Sequence, residues 1–96
     1  MNIKDLNGKI LKKELNCKSC HYRWHNKNNS GGNFGINILG IENKDFELSG
    51  NYDKNGSLGG LRFGYLFCAG HPLIFDSFNE LIEFMKKRIK SMLQET

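Results

Sequence analysis

The chain has 96 residues, 39% of them hydrophobic, with a formal charge of +4 and a mean hydropathy of −0.53. That length supports one domain with a thin core, so a metal or an oligomer interface is expected to help order it. No apolar run approaches membrane-spanning length and the start has no apolar signal stretch, so the expected setting is the cytoplasm, with no membrane partner.

Positive charge gathers early: the first thirty residues hold Lys4, Lys9, Lys12, Lys13, Lys18, Arg23 and Lys27 against Asp5 and Glu14. Mild basicity of this kind suits nucleic acid or an anionic ligand without proving either. Asn, Lys and Ile are abundant and Val is absent. That composition fits an AT-rich genome, such as that of a low-GC bacterium or its phage.

Residues 9–15 read as a short strand or extended arm, with Ile10, Leu11 and Leu15 among lysines. Residues 16–33 read as a long irregular stretch ending in a polar Asn/Gly loop. Such a stretch inside a small domain needs an organiser. Phe34, Ile36 and Ile38 then alternate with smaller or polar residues, the period of a strand. A turn over 42–45 follows, then a half-exposed strand in which Phe46, Leu48, Gly50 and Tyr52 share one face. Asp53-Lys54-Asn55-Gly56 predicts a hairpin turn, and Leu61, Phe63, Tyr65 and Phe67 predict the next strand, with Leu66 and Cys68 on its other side. The only proline, Pro72, precedes the last element. Ser77-Phe78-Asn79-Glu80 has the form of a capping box. Phe78, Leu81, Ile82, Met85, Ile89, Met92 and Leu93 recur at helical spacing through 76–95. The expected architecture is α+β and a single domain, 1–96. A basic arm and loop (1–33) precede an antiparallel meander of three or four strands (34–70), packed on one C-terminal amphipathic helix (76–95).

Two half-sites suggest zinc as a cofactor. Cys17 and Cys20 are three apart, as are Cys68 and His71. Thiolate and imidazole close a structural zinc tetrahedron, and CxxC in a reducing compartment reads as metal before disulfide. The paired knuckles resemble those of a zinc ribbon, although the second pair ends in His and a whole meander separates the two. His21 or His25 could replace His71. The competing reading is a core thiol at Cys68 and incidental cysteines in a loop. Cys17 to His21 also matches the c-type haem attachment pattern, which needs export and suits helical proteins. A redox CxxC would sit between a strand and a helix N-terminus, which is not the context here.

Other constellations are weaker. No phosphate-binding loop or dinucleotide fingerprint is present, and Cys with His lacks an identifiable third partner for catalysis. Glycines at 50, 59, 60 and 64 read as bulges and twist, or as a shallow groove beside Tyr52, Arg62 and Tyr65 that accepts a nucleotide-like ligand. Lys12, Lys13, Lys18, Arg23, Trp24 and Lys27 mix aromatic and cationic character suited to stacking and phosphate contact. Trp24, as a Trp, is expected in the core or at an interface.

The function expected from all this is non-enzymatic binding. A small bacterial or phage accessory protein would contact nucleic acid, or a nucleic-acid or defence protein, with inhibition as one possible outcome. One alternative is an oligomer sequestering a nucleotide-like molecule; another is a small zinc or thiol enzyme.

Overall fold

In a computed structural model, which describes every residue except 69, 71, 76, 95 and 96, the described residues form four strands and two helices. A 3-10 turn at Ile3–Asp5 leads into α1, Gly8–Leu15. The strands are β1, Ser19–Asn28; β2, Gly31–Ile41; β3, Lys44–Asp53; and β4, Leu58–Tyr65. Helix α2 spans Phe78–Leu93. The strands lie in the order β1-β2-β3-β4, each antiparallel to its neighbour. The α+β class, with a meander packed on the C-terminal helix, is the one expected.

Three local expectations are corrected. Residues 9–15 are not extended; they form most of α1. Asparagines set both ends: Asn7 Oδ1 accepts from the Lys9 amide at 2.8 Å and the Ile10 amide at 3.4 Å, and Asn16 ends the helix in the left-handed region (φ 53°). So short a helix is marginal alone; Leu11 and Leu15, one turn apart, bury it against the core. The expected loop over 16–33 is largely strand β1 and its hairpin into β2. Asn28 closes that hairpin by accepting the Ser30 amide at 2.8 Å. Strand β1 lies at the sheet's edge and is exposed from His21 to Asn28, so it carries no apolar alternation. The last strand ends at Tyr65, and Phe67 (φ 67°) lies in a turn where the Cys68 amide donates to the Tyr65 carbonyl at 2.9 Å.

The turn after β3 forms as expected. Asp53 Oδ1 accepts from the amides of Asn55 at 2.8 Å and Ser57 at 3.0 Å. The N-terminus is tied to the same turn, Ile3 amide to Gly56 carbonyl at 2.8 Å.

One sheet face builds the core. Cross-strand rows place Ile38 beside Phe46 and Tyr65, and Ile36 beside Leu48 and Phe63; Phe34, Ile38, Phe46 and Leu48 are fully buried. Helix α2 covers this face with Leu81, Ile82, Met85, Ile89 and Met92. Ser77 Oγ caps it by accepting the Glu80 amide at 3.2 Å. Tyr65 donates its hydroxyl to the Met92 carbonyl at 3.0 Å, holding the last turn of α2 to the sheet. Both helices lie on this side, and the opposite face of the sheet carries neither. Among the described residues no helix is long and apolar enough to cross a membrane.

Candidate functional site

The two faces of β1 are set by one extra residue. Tyr22 pairs with Ile36 and Trp24 with Gly35, so Arg23 has no partner across the ladder. A bulge of this kind reverses which side the following residues face. Cys20 and Tyr22 therefore share the core side with His25 and Lys27, while Trp24 and Asn26 share the open side.

Two glycines of β2 then let an aromatic ring cross the strand on each face. On the core side Tyr52 fills the space where a Gly32 side chain would stand. It thereby reaches β1, where its hydroxyl lies 2.8 Å from His25 Nε2. On the open side the six-membered ring of Trp24 occupies the place of a Gly35 side chain. Its indole N–H donates to Asn33 Oδ1 at 3.0 Å, and Asn26 Nδ2 donates to the same oxygen at 3.0 Å. Trp24 is 37% exposed and lies outside the buried core, one of the two places expected for it, the other being an interface.

Arg23 extends across the open face. Its guanidinium meets Glu47 of β3 at 3.4 Å. The guanidinium carbon also lies 5.7 Å from the Trp24 ring centre and 4.3 Å from that of Phe67, both within cation–π range. Phe67, in the turn after β4, is 73% exposed. Arg62 Nη1 donates to the Gly70 carbonyl at 3.2 Å. Asn37, in register between His21 and Glu47, has a buried Oδ1 without a hydrogen-bond partner among the described residues. This face thus carries two exposed aromatics, two arginines and several amides.

Among the described residues, the cysteines of the two zinc half-sites do not come together. Cys20 is on edge strand β1, facing the core side, and Cys68 follows β4 at the other edge. Three strand spacings, about 14 Å, separate those edges. Cys68 also curls over the open face, its carbonyl 3.5 Å from where a Gly64 side chain would begin. His71 lies outside the described residues. His21 is exposed on the open face, and His25 is committed to Tyr52. Among the described residues no three Cys, His, Asp or Glu side chains gather as a metal site.

The other candidate sets are likewise divided. Arg23 and Trp24 are together on the open face, but Lys12 and Lys13 stand on α1 in the helical layer and Lys27 is turned to the core side by the bulge. The stem of Lys18 packs against Gly40. The proposed ligand trio also separates: Tyr52 and Tyr65 face the core, Arg62 the open side. Of the expected strand bulges, one is present between β3 and β4, where Gly50 and Gly60 (φ 56°) stand, whereas Gly64 pairs in register with Glu47. Sequence reasoning missed Asn26, Asn33 and Glu47; the signal available was a glycine, Gly35, in mid-strand, which marks a close approach.

A cavity of about 570 Å³ lies on the core side beside β1 and includes Lys4, Leu6, Cys20, Tyr22 and His25. Burial, and then the neighbouring Cys17, pushes the Cys20 thiol up to about 12. Burial likewise raises the Cys17 thiol and the Tyr22 hydroxyl. A thiol held protonated is a poor nucleophile, and the Tyr22 hydroxyl already donates to the Leu6 carbonyl at 3.2 Å.

No protein-family model, curated protein or solved structure matches this chain.

Proposed function

We propose that this is a non-enzymatic binding protein that takes single-stranded nucleic acid on the open face of its sheet. The observation that carries the reading is Trp24, half-exposed, seated across Gly35 and fixed by Asn33, with the Arg23 guanidinium between its ring and Phe67. Sequence-tolerant binding of single strands combines aromatic platforms with cations that follow the backbone. Here the rings and guanidinium groups share one face that no helix covers. Amides beside them supply hydrogen bonds without adding charge. The formal charge of +4 suits an anionic partner. Binding by such a small domain acts by occupying a strand, which is compatible with an accessory or inhibitory role.

The test is fluorescence anisotropy of a labelled oligouridylate and a labelled oligothymidylate, at low and high salt. The reading expects saturable binding that weakens with salt, and a loss of roughly ten-fold or more in Trp24→Ala, since one base stack contributes about 1–3 kcal/mol. Binding by Trp24→Ala equal to wild type, or no binding by the wild type, overturns it.

A further inference from the structure

We infer that the cavity beside Trp24 on the open face is a pocket for a guanine base, read along its O6/N7 edge; this rests on the nucleic-acid reading above. The cavity measures about 260 Å³ and is bounded by Trp24, Asn33, Ser49, Asn51, Gly60 and Arg62. Its shape follows from the bulge between β3 and β4, where Gly60 is left-handed.

The donor pattern of its wall is fixed by chemistry. An indole N–H only donates, so the Asn33 atom 3.0 Å from Trp24 Nε1 must be the oxygen. That oxygen also accepts from Asn26 Nδ2. Asn33 is therefore locked, and its Nδ2 group, with no acceptor among the described residues, is left as a pair of donors at the cavity. Arg62 adds a guanidinium, a group with five donors and no acceptor, of which one bond goes to Gly70. Ser49 and Asn51 can turn to donate or accept and so discriminate little. A base edge made of two adjacent acceptors complements this wall. Guanine offers O6 and N7 there, whereas adenine sets its N6 amino group against donors. Trp24 also lines this cavity.

The experiment uses the chain's only Trp, Trp24, as the probe. Oligouridylates of one length, each with a single central guanine, inosine, 7-deazaguanine or adenine, are titrated against emission quenching. Guanine and inosine both keep O6 and N7 and are expected to bind alike, on the order of ten-fold tighter than adenine. 7-Deazaguanine, which lacks N7, is expected to lose most of that preference. Asn33→Asp keeps the acceptor for Trp24 but removes the donors, and is expected to erase the difference between guanine and adenine; an unchanged emission maximum in the free variant shows that Trp24 has not moved. Equal affinity for all four oligonucleotides overturns the guanine pocket and leaves the nucleic-acid reading intact. Absence of binding by every oligonucleotide overturns both.

Discussion

Gly35→Ala is the sharpest single perturbation of this fold. The added methyl group would stand where the Trp24 ring now lies. The strand on that side offers no slack, because Gly35 is itself buried and paired on both edges, with Trp24 and Ser49. The ring must therefore leave. Aromatic side chains bury roughly 150–250 Å², and Trp24 is already 37% exposed, so displacement returns on the order of 100 Å² to water. At about 25 cal/mol per Å² that costs about 2.5 kcal/mol. The lost indole hydrogen bond to Asn33 adds about 1 kcal/mol. Against these, alanine narrows the unfolded ensemble, a gain of about 0.4–1 kcal/mol. The net loss is about 2.5–3 kcal/mol, and Tm falls by on the order of 10–25 °C for a domain of this size. Urea and thermal unfolding by circular dichroism measure the loss, and the emission of the only Trp should shift to the red in the folded variant. A Gly35→Ala protein with wild-type emission and equal or greater stability would refute the placement of Trp24 across Gly35.

Three further outcomes follow from packing and titration. Tyr65→Phe removes the hydroxyl that binds the Met92 carbonyl at 3.0 Å and should cost about 1 kcal/mol in urea unfolding; no change would mean that the last turn of α2 is not held from the sheet. Cys20 ionises near 9 when unfolded and near 12 when folded, so its contribution to stability is whole below pH 9 and lost as pH climbs from 9 toward 12. Melting temperatures taken upward through that window should fall less steeply in Cys20→Ala than in wild type, and parallel curves would contradict the buried, protonated thiol. Native-state labelling with a thiol reagent should reach exposed Cys68 ahead of buried Cys17 and half-buried Cys20, read by mass spectrometry of the digested protein.

The legible parts of this sequence are those whose burial leaves a period. Helix α2 and strands β2 to β4 sit against the core, and Phe34, Phe46, Phe63 and Met85 mark them at strand or helix spacing. Helix α1 buries only Leu11 and Leu15 along its length, too few to outweigh its lysines, and its caps are asparagines that also suit loops. Strand β1 is half of an edge hairpin whose core-side residues past Cys20, Tyr22, His25 and Lys27, are themselves exposed, so apolar alternation is absent; the bulge at Arg23 breaks what period remains. The cysteine spacing suggested a meeting of distant half-sites, but spacing holds no information on which sheet edge or face each cysteine will occupy. The candidate site was half-legible. Arg23 and Trp24 were visible as an aromatic beside a cation, whereas Asn33 and Phe67 become partners only through the crossing of Gly35 and the turn after Tyr65.

The most direct test of the central claim is a map of amide chemical-shift changes in isotopically labelled protein as a short single-stranded oligonucleotide is added. Changes are expected to concentrate at Arg23, Trp24, Asn33, Ser49, Arg62 and Phe67 and to shrink as salt is raised. Changes gathered on α1 and α2, around Lys12, Lys13, Lys86 and Lys87, would contradict it, as would a spectrum that does not change at all.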